Sequence, residues 1–262
     1  MKVFSIIGSQ RKNGNTANIV DLLNHKIQSY SNNELDINIK TMNLADQNIQ
    51  MCKGCRICFN KGENFCPLKD DLLEIKKNIN ESDIIILSSP VYVEDVSGLV
   101  KNWIDRMAFI SHRPEFFEKS AYILSTSGVG STKHTLITMN TALRTWGGSI
   151  IGQDTFKIGE LMSNEDINKN FDNRINKIAK KIVNYHKTSK KLKPTFLSLM
   201  IFKIQQLYYK KSNEKDSIDY NYWKNQNWLE DNRKYYMEIK SNFIKIIFAR
   251  FFGSLIAKLV LK

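Results

Sequence analysis

Along the first 186 residues the hydrophobic positions follow two alternating periods. Val3 to Ile7 is a short run of mostly β-forming residues, too apolar to have a wet face, which predicts a buried strand. From Thr16 the period changes to that of a helix, with Ile19, Val20, Leu23, Ile27 and Tyr30 on one face. Leu35, Ile37 and Ile39 then alternate with polar residues, as in a strand near a sheet edge. Residues 43–69 read as a long loop, and Asp70 or Asp71 caps a helix bearing Leu72, Ile75 and Ile79. Ile84 to Leu87 is a continuous apolar strand, left through a loop at residues 88–92, and Ser97 opens a helix with Val100, Ile104 and Met107. Ala121 to Leu124 is a fourth strand, residues 132–146 a helix with Leu136 and Leu143 inward, and Ser149 to Gly152 begins a fifth strand. The stripe Ile167, Phe171, Ile175, Ile178, Ile182 and Tyr185 marks a helix over about 165–186.

This alternation predicts an α/β fold: a doubly wound, five-stranded parallel sheet covered on both faces. An edge-like second strand and buried first and third strands favour the order 2-1-3-4-5, with a switch-point crevice between strands one and three. Residues 187–262 break the pattern and hold 14 of the chain's 28 aromatic residues. Helices are predicted there at about 195–211, 228–240 and 241–261, with a polar interruption at 212–219. The chain so divides into residues 1–186 and an α-helical C-terminal extension, 187–262.

Charge sharpens that division. The net charge of +13 splits into 23 Lys/Arg against 20 Asp/Glu in residues 1–186, and 16 against 6 in 187–262. Near the C-terminus Phe248, Phe252, Leu255, Ile256 and Leu259 form an apolar stripe, with Arg250, Lys258 and Lys262 largely off it. Such a stripe packs on the chain's own core or an oligomer partner, or lies on an anionic membrane surface as a peripheral contact. No basic face aligned with stacking aromatics is readable, so nucleic acid is not an expected partner. No stretch of about 18 uncharged apolar residues is present, so no membrane span is expected. Met1 and Lys2 lead straight into the first strand, with no secretory leader in view, and a cytoplasmic protein is expected.

The candidate chemistry lies in the loops. Residues 8–16 (GSQRKNGNT) join the first strand to the first helix, where unpaired N–H groups and the helix dipole favour an anion. The loop lacks the Lys-Ser/Thr of a triphosphate loop and the Gly-x-Gly-x-x-Gly of a dinucleotide site. Its hydroxyls and amides (Ser9, Asn15, Thr16) and the Arg11 guanidinium suit one terminal phosphate. The plainer alternative is a βα turn with a Ser/Thr helix cap. All four cysteines fall in one loop, as Cys52-x2-Cys55-x2-Cys58-x7-Cys66, followed by Pro67. This spacing is nearer to cluster ligation than to paired zinc motifs, while free redox-active thiols and zinc stay open. His25, His112, His134 and His186 are scattered and show neither metal nor triad spacing.

Three stretches in order carry a resemblance: residues 8–16, the cysteine loop ending in CPLKDD (66–71), and SPVYVEDVSGLVKNWIDR (89–106). Together they resemble the NADPH-dependent FMN reductase and iron–sulfur flavoprotein family, which has the flavodoxin-like fold, over residues 1–186. The resemblance implies that Ser9, Arg11, Asn15 and Thr16 hold the FMN phosphate. Pro90, Val91 and Tyr92 would line the flavin ring, with core packing as the alternative for Tyr92, and Ser127 and Gly128 would approach its other edge. Cys52, Cys55, Cys58 and Cys66 would hold a [4Fe–4S] cluster near the flavin. No side chain is assigned a catalytic role, because the cofactor carries the redox chemistry, and Asp105 and Arg106 are expected to form a structural ion pair. The implied function is an NAD(P)H-dependent flavin oxidoreductase, a homo-oligomer, passing electrons to a small-molecule or protein acceptor. Two other classes fit the same residues: a non-enzymatic flavodoxin-type carrier, and a membrane-surface or interaction module that has lost the flavin.

Overall fold

Alternate residues of the central strands feed two separate cores. In the computed structural model, which describes all residues except Asn33, Glu160, 189–193, Lys240, Leu261 and Lys262, β1 (Lys2–Ile7) sends Phe4 and Ile6 to one face and Val3 and Ile7 to the other. The first core adds residues of α3 (Leu72–Glu81), α4 (Gly98–Arg106) and α5 (Lys133–Thr145); the second adds α1 (Asn15–Gln28) and α6 (Asn164–Thr188). Both faces of the sheet are therefore covered, and its strands are apolar on both sides as buried parallel strands are.

The five parallel strands are β1, β2 (Asn38–Asn43), β3 (Ile84–Tyr92), β5 (Ser120–Ser127) and β6 (Ser149–Lys157), in the order β2-β1-β3-β5-β6. Counting the parallel strands alone, this is the expected 2-1-3-4-5. A two-residue β4 (Asp95–Val96) folds back antiparallel on the end of β3. The second strand lies later than Leu35 to Ile39, and the reason is local. The Asn32 side chain accepts from the Leu35 N–H at 2.9 Å and holds that stretch as a turn, so pairing starts at Lys2–Asn38.

Beyond α6, helices α7 (Phe196–Lys211), α8 (Ile218–Asn225) and α9 (Phe243–Val260) surround a third core, with Phe202, Trp223, Trp228, Tyr235 and Tyr236 buried. A helix over 228–240 does not form in the described residues; the stretch is irregular, and a helix stands at 218–225 instead. Asn227, at φ 56°, turns the chain out of α8. Carbonyls that a helix would use are taken by side chains: Gln206 donates to Trp228 O and Glu230 O, both at 2.8 Å, and Arg250 to Arg233 O at 2.8 Å. This satisfied but irregular backbone lets Trp228, Tyr235 and Tyr236 all turn inward. The bundle docks on residues 111–117, where Trp223 Nε1 donates to His112 O at 2.8 Å and Tyr222 Oη to Pro114 O at 2.7 Å. Lys262, read above as lying off the terminal stripe, is outside the described residues.

Candidate active site

The loops after β1, β3, β5 and β6 meet the N-terminus of α1 around one cleft, at the C-terminal edge of the sheet. Every residue assigned to the flavin lines it: Ser9, Arg11, Asn15 and Thr16 from the first loop and helix, Pro90, Val91 and Tyr92 from β3, and Ser127 and Gly128 from the β5 end. β1 can deliver its loop there because Gly8 passes tightly over α4. A Cβ at Gly8 would stand 2.0 Å from Val100 Cγ2 and 2.8 Å from Ser88 O.

The alternative of a side-chain helix cap does not form. α1 starts at Asn15 with Gly14 as its N-cap, no side chain caps it, and its first turn carries no acidic residue. Such a helix end presents donors and a positive dipole to the cleft. Ser9 is buried, and its hydroxyl is bound to the Arg11 backbone. The Arg11 side chain is exposed and makes no ion pair among the described residues. Thr16 and Thr126 share a buried hydroxyl–hydroxyl bond of 2.7 Å, and Asn15 Oδ1 accepts from the Met162 N–H at 2.9 Å. The donor set, all hydroxyls, backbone amides and one guanidinium, fits a phosphate monoester. Tyr92 is 46% exposed on the cleft rim, so it is not core packing.

Thr126, Ile158, Gly159 and Leu161 also line the cleft and were not assigned from the sequence. The signal for the last three was available, because the loop after the fifth strand leaves the same sheet edge. The two-residue turn after Tyr92 was harder to read. Val93 and Glu94 both take positive φ, 49° and 63°, as a hairpin turn of the primed type requires, but neither has the Asn/Gly chemistry that marks one.

The four cysteines wall a second cavity, with Arg106, Phe109 and Leu72 behind them. No residue lines both cavities, so the expected closeness of cluster and flavin is not built from shared walls. The cysteine loop is clamped at its entry, middle and exit. Arg106 donates to Gln50 O at 2.7 Å and grips Asp70 with both terminal nitrogens, at 2.5 and 3.1 Å. Arg113 donates to Cys58 O at 2.8 Å and pairs with Glu63 at 3.0 Å, and Lys76 pairs with Glu63 at 2.5 Å. Arg113 also pairs with Asp219 of α8, whose other oxygen binds His112 Nδ1 at 2.7 Å. The extension thus supplies a brace to the loop, which its distance in sequence concealed.

Asp105 and Arg106 are both ion-paired, but not to each other: Arg106 serves Asp70, and Asp105 binds Lys101 at 2.6 Å on the exposed face of α4. Burial pushes the Asp70 carboxyl up, but the Arg106 hydrogen bonds and charge, with N–H donors from Gln50 and Leu72, outweigh it and hold Asp70 below the ordinary range. Burial, then the neighbouring Cys66 and Cys52, push the Cys58 thiol up. Arg106 faces Cys66, and the Gly54 N–H points at Cys52 Sγ from 3.4 Å. Among the described residues no three His, Cys, Asp or Glu side chains converge on a point where one metal ion would sit. The four cysteines nevertheless line one cavity, with exposed Lys53 and Arg56 beside them.

The family model described as NADPH-dependent FMN reductase matches residues 1–162. The chain belongs to that family. It is accordingly a flavin oxidoreductase, with FMN and a nicotinamide nucleotide as the family's cofactor and substrate. Among related sequences in this family, an iron–sulfur flavoprotein of Archaeoglobus fulgidus is 29% identical over 234 residues, covering 87% of this chain and 100% of that protein. The match therefore runs past residue 186 into the extension, farther than the motifs alone indicated. An iron–sulfur flavoprotein of Methanocaldococcus jannaschii is 42% identical over 106 residues, 40% of this chain and 51% of that protein. Among solved structures, a flavone reductase superposes with a TM-score of 0.56 at 15% identity, covering 72% of this chain and 64% of that one. An NAD(P)H:quinone oxidoreductase from Methanothermobacter marburgensis gives 0.52 at 12%, covering 70% and 97%. At these identities the likeness is one of fold.

Proposed function

We propose that this FMN reductase family member carries electrons from NAD(P)H to a small-molecule or protein acceptor, and that its cysteine loop holds a [4Fe–4S] cluster. The observation that supports both parts is the sorting of the assigned residues into two cavities: all nine flavin residues around one, all four cysteines around the other. In this reading Ser9, Arg11, Asn15 and Thr16, with the open end of α1, bind the FMN phosphate. Pro90, Val91 and Tyr92 flank the ring from the β3 side, and Ser127 and Gly128 from the β5 side. Held there, FMN would supply hydride acceptance from the nicotinamide and electron release to the acceptor. Cys52, Cys55, Cys58 and Cys66 would hold the cluster, which would supply single-electron transfer. Residues 1–186 hold both groups, and residues 187–262 act as an appended unit. The acceptor class is a quinone, an aromatic or nitro compound, free flavin or an iron–sulfur partner.

Anaerobic stopped-flow mixing of FMN-loaded protein with NADH and with NADPH tests the oxidoreductase reading. Rapid loss of the flavin's visible absorbance with at least one nucleotide is the expected result. Failure with both would assign the protein to the flavodoxin-type carriers.

A further inference from the structure

The last helix is amphipathic in the reverse sense. α9 meets α7 through Ile246, Ala249, Gly253 and Ala257, a face of mostly small residues that lets the two helices approach closely. Its large apolar side chains point away from the protein. Phe248, Phe251, Phe252, Leu255 and Leu259 are between 43% and 67% exposed, although the sequence stripe that includes four of them is the kind that packs on a core. The patch continues onto α7, where exposed Phe196 lies 6.2 Å from the Phe252 ring. Isolated exposed apolar residues are ordinary, but a contiguous face along an 18-residue helix, roughly 27 Å at 1.5 Å per residue, marks an interaction surface.

Charge selects the occupant. α9 contains Lys245, Arg250 and Lys258 and no carboxylate, and no acidic residue follows Glu238 anywhere in the chain. Lys245 sits at a shoulder of the apolar face, bound to Pro194 O, and Lys258 is exposed beside Phe251, while Arg250 is half-buried and holds carbonyls of the bundle. A second copy docked on this face would set one extension with 16 Lys/Arg and 6 Asp/Glu against another of the same sign. An anionic bilayer complements both features. Its headgroups meet the cations, and its acyl boundary takes the aromatic and aliphatic side chains. No helix among the described residues is long and apolar enough to cross a membrane, so contact would be in the plane of the interface.

We infer that the α9 face docks this oxidoreductase on an anionic lipid surface. The inference does not depend on the cluster or on the flavin assignments. Its test is co-sedimentation of the full-length, FMN-loaded protein with vesicles of phosphatidylglycerol and phosphatidylcholine, against vesicles of phosphatidylcholine alone. Partition into the pellet should be at least about tenfold higher on the anionic vesicles and fall as salt is raised. Phe248→Glu with Phe251→Glu should abolish it, and Lys258→Glu should weaken it, with flavin absorbance and melting temperature unchanged because all three side chains face solvent. Protein left in the supernatant, or equal binding to both vesicle types, would overturn the assignment. A dimer in sedimentation velocity that the double variant disrupts, without vesicle binding, would give the face to a second copy instead.

Discussion

The cleft proposed for the flavin and the thiol cavity are held open by different means. The cleft is rimmed by the ends of parallel strands, and sheet register sets its lining residues, with Pro90 beside Thr126, and Ser127 beside Lys157. The cavity is walled largely by a loop holding two short helical turns, the four-residue α2 (Ile57–Asn60) and a 3-10 turn at Glu63–Phe65. That loop owes its shape to buried charges on neighbouring segments, chiefly Arg106 of α4 and Arg113 in the bend beyond it. A backbone-built site should survive loss of single side chains, whereas a charge-clamped loop should not.

Arg106→Ala is the strongest way to separate them. The Arg106 and Asp70 side chains are 3% and 1% exposed, so the substitution strands a buried carboxylate and should destabilise the protein by about 3–5 kcal/mol. Thermal melting measures that loss, and FMN titration at a temperature where the variant is folded should return an unchanged affinity. The wild-type clamp should also be acid-sensitive. Because Asp70 and Glu63 are held below ordinary carboxylate values, their contribution is complete above about pH 4.5 and is lost as pH falls through the depressed values. Arg106→Ala should flatten the Asp70 part of that dependence.

The opposite separation comes from the phosphate end. Arg11→Ala with Thr16→Ala should weaken FMN binding by about 2–4 kcal/mol, from one charge-assisted and one neutral hydrogen bond, while the four thiols behave as in the wild type. Unchanged FMN affinity in a titration would move the phosphate away from this loop. The smallest effect sharpens the contrast between buried and exposed charge on a single helix. Lys101→Ala breaks the exposed pair with Asp105, 54% and 49% exposed, and should change stability by less than about 0.5 kcal/mol.

The same contrast explains what could be read from the sequence. Val3 to Ile7 and Ile84 to Leu87 are too apolar to have a wet face and the second strand reads as an edge, so the sheet order and its switch-point crevice followed from them. Strand two slipped because an Asn32 side chain, not periodicity, decides where pairing begins. In the extension the aromatics Trp228, Tyr235 and Tyr236 are all buried from an irregular backbone, which no helical or strand period encodes. The clamp was equally hidden. Arg113 and Asp219 lie 106 residues apart, and only the docking of α8 brings them together. The cysteine spacing, by contrast, was plain at once, because cysteines grouped in one loop need no tertiary fold to be noticed.

Two separate redox sites in one chain require a cluster in the thiol cavity. Iron and acid-labile sulfide should be assayed on anaerobically purified protein, with low-temperature EPR after dithionite and flavin content measured on the same sample. About four irons and four sulfides per chain are expected, lost on Cys58→Ala without loss of FMN. Iron-free protein with full flavin and four titratable thiols would contradict the claim and leave the loop as a thiol site only.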